Sequence, residues 1–534
     1  MRHMIPLAFL LLTASPPDRL TAQQRGVDVQ VYHFRIDLPD TGTAIDGLAT
    51  VLFRTAPGYD DTLRLDLVGM QVRRVYDVNS MLQLPFRHDG TVLRVATQSM
   101  VRRARQGVVV EYGGSPRDGL IIRTNARGRR AAFGDNWPNR ARFWLPTIDH
   151  PSDKARVLWS IRVPEGWRGI ATMPECRPLP VRTCNESAPT PTYTMVLGAT
   201  EMTVSRHRPA HMARDPVTGR TRIPVEVWAY SEDSAFADSV PFARATAIVE
   251  AGAGIIGPFP FAKLSHVQSS TRYGGMENST AIFYAENGYV RRTMREGVVR
   301  HETAHQWFGD AVTPADWHHV WLSEGFASYF DLVIGAALSG DSVLEDGMRA
   351  NAATVMRSNV VDRPIIDTAV TDPNDMLNAN SYQKGAWVLH MLRGLVGDTA
   401  FFQGVRDYYR IYRDSSVVTT QFQAVMERAS GRRLDWFFYQ WLYRAGYPQL
   451  DVDWSSQPSG QVRLEVRQSQ PWGRFTVPAV PVEFRKAGRV VARRSFPLQA
   501  LGAQTVEFDV EDLPDTVIVD PDGTLLLTAE VRGP

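Results

Sequence analysis

Cysteine is almost absent: the 534-residue chain has only Cys176 and Cys184, which excludes a disulfide-rich scaffold and a four-cysteine zinc site. A surplus of charge is missing too. With 59 basic against 57 acidic side chains the net charge is +2, so nothing in the balance calls for nucleic acid or an anionic membrane. Lysine is confined to Lys154, Lys263, Lys384 and Lys486, a bias toward arginine that points to no mechanism. No stretch approaches the about 20 apolar residues of a transmembrane helix. The apolar run at 4–12 follows Arg2 and leads into small and polar residues up to Ala22. It is too short to span a bilayer and has the layout of a secretory signal peptide. Residues 1–22 are therefore expected to be a signal peptide, leaving a periplasmic or secreted protein without an integral membrane segment. In that oxidising setting Cys176 and Cys184, in a proline-rich stretch, are expected to close a small structural loop.

What is present is ordinary globular composition, 44% hydrophobic with 10% aromatic residues, on a chain too long for one ordinary domain. From about residue 27 apolar side chains alternate with polar ones, as in Tyr32, Phe34, Ile36 and Leu38 and again in Leu63, Leu65 and Leu67. Period two predicts half-buried strands, and similar runs continue to about 205. An all-β domain over 25–205 is expected. The period becomes helical at 294–307, 322–338, 385–396 and 420–429, the last opening at a threonine cap and stopping at Gly431. This predicts a mainly helical domain over 206–446. Alternation returns at Val462, Leu464 and Val466 and at Val506, Phe508 and Val510, which predicts a β-sandwich over 447–534. The fold class is thus multidomain α+β.

The most informative stretch is His301-Glu302-Thr303-Ala304-His305, inside a helical window. Residues four apart share a helix face, so two imidazoles can grip one ion, and zinc is the natural guest. Glu324 follows His305 by nineteen residues on the next helical pattern, past a turn at Thr313-Pro314. His301, His305 and Glu324 make three protein ligands, the number typical of catalytic zinc, whose fourth position stays open. Glu302 cannot share the ligand face but is placed to take a proton from water made more acidic by the metal. Hydrolysis with one zinc ion per chain is the implied reaction.

Some 24 residues before the zinc helix stands Gly274-Gly275-Met276-Glu277-Asn278. The combination resembles the aminopeptidase N family of zinc metallopeptidases, gluzincins in which such a loop and a His-Glu-x-x-His helix form one active site. The resemblance extends to Ala141-Arg142 with Trp144-Leu145-Pro146, and to 436–448 at the end of the helical part. It implies a saddle-like N-terminal β domain, a thermolysin-like catalytic domain and a β-sandwich. The large helical domain that often follows is expected to be missing, a short form. By position it implies that Glu277 binds the free α-ammonium of a peptide while Gly274, Gly275 and Met276 line the first side-chain pocket. A fixed carboxylate can select a cationic terminus through charge-assisted hydrogen bonds. Tyr382, in Tyr382-Gln383-Lys384-Gly385, matches the family segment whose tyrosine donates to the oxyanion.

One feature departs from the family. Many members carry a glutamate or glutamine four residues before the Ala-Arg pair, where this chain reads Asp135-Asn136-Trp137-Pro138, which leaves the β domain's contacts to the first pocket open. Asp310, Asp316 and Asp331 are candidates for orienting the imidazoles, with surface solvation the equal alternative. The expected activity is that of a zinc-dependent aminopeptidase acting on peptides with free N-termini. A zinc endopeptidase and a catalytically silent peptide-binding module are the alternatives. Glu277 argues against the first and the intact ligand and base set against the second. Epoxide hydrolysis, known in one branch of the family, has no feature in its favour.

Overall fold

The structure is a computed structural model that describes residues 26–100, 106–172, 188–457 and 460–534. The expected signal peptide and the cysteine pair lie outside the described residues.

The alternating N-terminal segment forms strands as its period predicts. Strand β1 (Val27–Asp37) buries Tyr32, Phe34 and Ile36 completely. It pairs antiparallel with Ile45–Thr55 and parallel with β2 (Lys154–Arg162) in a six-stranded sheet, so the chain returns to its first strand after more than a hundred residues. A four-stranded sheet (Leu120–Thr124, Arg130–Gly134, Arg168–Ala171 and Leu197–Thr200) and a three-stranded one carrying Leu63 and Leu65 complete this β-rich part.

The middle of the chain begins with a five-stranded sheet of β3 (Thr203–Arg206), β4 (Val225–Ala229), β5 (Leu264–Ser269), β6 (Gly275–Met276) and β7 (Ala281–Ala285). β4, β5 and β7 run parallel, and all six residues of β5 are buried. A strand covered on both faces shows no alternation, which is why a segment read as mainly helical conceals a sheet.

The helices that follow carry the chemistry. α1 (Glu296–His305) and α2 (Trp321–Ser339) lie together, and α2 is buried on nearly every side over its first half, as a core helix must be. α3 (Gly385–Val396) packs against α2, and α4 (Thr419–Ser430) stops at Gly431 in the left-handed conformation. No threonine caps α4. The Gln421 Oε1 accepts from the Val418 N–H at 2.9 Å, and the Thr419 hydroxyl faces Trp321 Nε1 instead, also at 2.9 Å.

Beyond residue 448, a four-stranded and a three-stranded sheet enclose a core of Leu450, Val452, Val462, Leu464, Val480 and Phe484. Phe475 and Leu526 of this sandwich belong to the central core around α1 and α2, so the two parts share apolar surface. Among the described residues no helix is long and apolar enough to cross a membrane.

Candidate active site

His301 and His305 stand one turn apart on α1, which places their Nε2 atoms 3.1 Å from each other. Glu324, near the start of α2, brings Oε2 to 3.4 Å from one and 3.2 Å from the other. The three ligand atoms lie within 4.8 Å of one another. Glu324 Oε2 is buried with no hydrogen-bond partner, a costly arrangement for a carboxylate unless a cation completes it. His305 Nδ1 lies 3.1 Å from the Phe308 carbonyl oxygen, which can only accept, so Nδ1 carries a proton and Nε2 is the nitrogen turned to the cluster. Ser323, the residue before Glu324, adds its hydroxyl at 3.0 Å. Two imidazoles and a carboxylate suit zinc, and three protein ligands leave a position open.

Electrostatics agrees with that donor set. Burial opposes charge on His305, yet Glu324 and Glu277 raise it to about 10. Burial would push Glu324 up, but His305 and His301 hold it at about 2. Glu302 also sits on α1, buried beside the ligands, and burial lifts it to about 7 despite the nearby imidazoles. A carboxyl group so placed can take up and release a proton near neutral pH. Gly275 makes room for it: a Cβ there would collide with the Glu302 carboxylate where it now sits.

The loop after β6 carries Glu277, whose carboxylate oxygen lies within 4.8 Å of ligand-type atoms of Glu302 and His305. Burial raises its proton affinity, with His305 acting in the opposite sense. Gln306 ties this loop to α1. Its Nε2 donates to the Glu277 carbonyl at 2.8 Å and to Asp310 Oδ2 at 2.8 Å, and its Oε1 accepts from the Thr280 N–H at 2.9 Å. Asp310 therefore serves Gln306 rather than an imidazole. Asp316 caps a short turn and accepts from the His318 N–H, and Asp331 accepts from Arg300 Nε.

Tyr382 lies in a π-turn, Asn380–Lys384, leading into α3, a distortion frequent at functional sites. Its ring is parallel to that of His301, with centroids 6.0 Å apart and 10° between planes. Burial and Glu324 keep the phenol protonated. The approach of Tyr382 to Glu324 depends on a glycine contact, for a Cβ at Gly325 would sit 2.9 Å from Gly385 Cα.

All nine sequence-predicted residues, Gly274, Gly275, Met276, Glu277, His301, Glu302, His305, Glu324 and Tyr382, line one cleft of about 200 Å³. Trp137, Tyr273 and Leu377 line it as well and were not marked as site residues by their own motifs. The only signal for Trp137 was its departure from the family pattern; the position of Gln306 directly after His305 could have marked it. Size alone does not locate the site. A larger cavity of about 580 Å³, among Arg156, Arg220 and Arg413, contains none of the nine.

Residues 245–441 match the peptidase family M1 domain. Aminopeptidase N of Streptomyces lividans is 26% identical over 496 residues, 85% of this chain and 55% of that protein. The chain spans about half the length of the curated relatives it matches. The crystal structure of an M1 zinc metallopeptidase from Deinococcus radiodurans superposes with a TM-score of 0.67 at 25% identity, covering 80% of this chain and 95% of that one. Aminopeptidase A of Legionella pneumophila, solved with aspartic acid, reaches a TM-score of 0.77 at 16% identity over 95% of this chain and 60% of its own, a likeness of fold.

Proposed function

From a chain that carries a peptidase family M1 domain, we propose a zinc-dependent aminopeptidase that removes residues one at a time from peptide N-termini. The observation that carries this reading is the placement of Glu277 within 4.8 Å of the base candidate and a candidate ligand imidazole, in the same cleft. His301, His305 and Glu324 would hold one zinc ion, which when bound would polarise the scissile carbonyl and make a neighbouring water more acidic. Glu302 takes the proton from that water and passes it to the leaving amine. Glu277 receives the substrate α-ammonium and so sets the first peptide bond against Glu302. The Tyr382 hydroxyl donates to the developing oxyanion. Burial supports the last two roles, since charge and dipole act more strongly where water is excluded.

The experiment is a set of aminoacyl chromogenic substrates, each with and without an N-terminal acetyl group, run on wild type and Glu277→Ala. Free-amine substrates should be cleaved and acetylated ones ignored. The variant should lose about 2 to 5 kcal/mol of kcat/KM on free amines, as expected when one partner of a buried charge pair is removed. Equal cleavage of acetylated peptides at internal bonds would transfer the reading to an endopeptidase. Export to the periplasm or medium is part of the same proposal, supported by the apolar run at 4–12 and testable by fractionation of expressing cells.

A further inference from the structure

Three arginines meet outside the cleft. The cavity of about 580 Å³ is lined by Arg156 from β2, by Arg220 and by Arg413, against a single carboxylate, Asp414, an excess of two positive charges. Its walls come from the N-terminal sheet and from the catalytic part, and it shares no residue with the cleft. One loop serves both sites. Glu277 lines the cleft, and Ser279, two residues on, lines the cavity with its hydroxyl 2.6 Å from that of Thr190.

The charges around this cavity do not cancel. Arg413 is 7% exposed and donates to Asp215 at 2.9 Å and to the Pro260 carbonyl at 2.8 Å. Its Nε has no hydrogen-bond partner and lies 4.0 Å from Asp414. Asp215 is already engaged, since it also accepts from the Val217 N–H at 3.0 Å and the Thr218 hydroxyl at 2.5 Å. Among the described residues no ion pair or hydrogen bond engages the half-buried Arg220 guanidinium. Burial lowers its proton affinity and Arg413 acts in the same sense, outweighing Asp215. A cation held beside a second cation in this way is costly unless an anion completes it. Asp215, outside the lining, adds a second carboxylate, and Lys154, whose charge acts on Asp414, adds a fourth cation, so the excess stays at two. Arg156 also borders a smaller cavity of about 200 Å³ whose other charged residues, Arg54 and Lys154, are both basic.

Size and wall chemistry narrow the ligand further. Guanidiniums hold carboxylate and phosphate oxygens through paired charge-assisted hydrogen bonds. The volume falls within the roughly 300–1,000 Å³ of small-molecule sites, and Val157, Val217 and Phe261 give the wall an apolar share that suits a short carbon body. We propose that this cavity binds a small organic dianion, a dicarboxylate or a phosphate ester, among Arg156, Arg220 and Arg413. The site lies apart from the proposed peptidase chemistry, and its test reads binding rather than turnover.

The test is isothermal titration calorimetry of the zinc-loaded full chain with succinate, glycerol 3-phosphate, sulfate and succinamide. Succinate or glycerol 3-phosphate should bind saturably, and the tighter of the two identifies the head group. Succinamide, the same body without charge, should give no heat. Arg220→Gln should weaken binding by about tenfold or more, the worth of a hydrogen bond to a charged group. Val217→Glu places a carboxylate in the lining from an exposed position and should do the same if the first variant does not fold. Failure of both organic anions to bind the wild type, or unchanged affinity in the folded variant, would overturn the site. Sulfate binding as tightly as either organic anion would overturn the assignment of an organic ligand.

Discussion

Glu302 and Tyr382 approach the same ligand cluster from different elements, one from α1 and one from the turn before α3, and should fail in the same kinetic manner for different reasons. Replacing a positioned base typically costs about 10² to 10⁴ in rate and removing an oxyanion donor about 10² to 10³. Glu302→Gln and Tyr382→Phe should each lower kcat by these amounts with little change in KM, and both should keep their zinc by metal analysis. Normal turnover in Tyr382→Phe would return that ring to a packing role beside His301. His305 leads to a second expectation. Raised to about 10 by Glu324 and Glu277 against its desolvation, it holds a proton at neutral pH in the metal-free protein. A cation must displace that proton, so affinity rises with pH, by up to about tenfold per unit through the neutral range. Glu324, held at about 2, adds no proton change there. Chelator competition at pH 6, 7 and 8 measures the slope, and a flat result would mean that His305 is already neutral.

Between elements, the α2–α3 contact is the most exacting in the site. Gly325→Ala would place a Cβ 2.9 Å from Gly385 Cα and 3.1 Å from the Ser381 carbonyl oxygen, both backbone atoms that cannot swing aside. The helices must separate, at a cost of about 1 to 3 kcal/mol, and Glu324 moves away from Tyr382. A lower melting temperature together with weaker zinc binding is expected. Gly394→Ala on α3 is the control, because nothing lies within 4 Å of its Cβ and alanine is the better helix former by about 1 kcal/mol. It should melt at the same temperature or higher. If both variants behave alike, the close approach of the helices is not what holds the site.

Across the whole molecule, Lys154 joins the N-terminal sheet to the metal helix. From β2 its buried Nζ donates to the Asp310 and Ala311 carbonyls at 2.7 and 2.9 Å, just past the end of α1. Lys154→Met removes one donor from each carbonyl while Thr313 Oγ1 still donates to the Asp310 carbonyl at 3.0 Å and the Asp414 N–H to that of Ala311 at 2.7 Å, so the cost is that of lost hydrogen bonds from a charged group, about 1.5 to 3 kcal/mol each. The turn that positions Asp310, Gln306 and hence Glu277 should loosen with it. Thermal unfolding should show the loss, and KM for free-amine substrates should rise more than kcat falls; an unchanged KM would confine Lys154 to stability.

How much of this could be read in advance follows from the range of each interaction. His301, Glu302 and His305 were legible because a helix fixes which residues share a face within a single turn, and Glu324 and Glu277 because spacing and motif place them on adjoining elements. The half-buried strands were legible for a similar reason: alternation records one wet and one dry face. β5 and β7 left no such record, since burial on both sides removes the polar half of the pattern. Trp137, Gln306 and Lys154 act on partners that local pattern does not point to, Trp137 and Lys154 through contacts more than a hundred residues away along the chain. The sequence by itself therefore determined the candidate ligand set, the candidate base and the alternating strands at the two ends of the chain. Only the tertiary structure decided what surrounds them, because the arginine-lined cavity, the glutamine tie and the lysine strut exist only once distant segments have packed against one another.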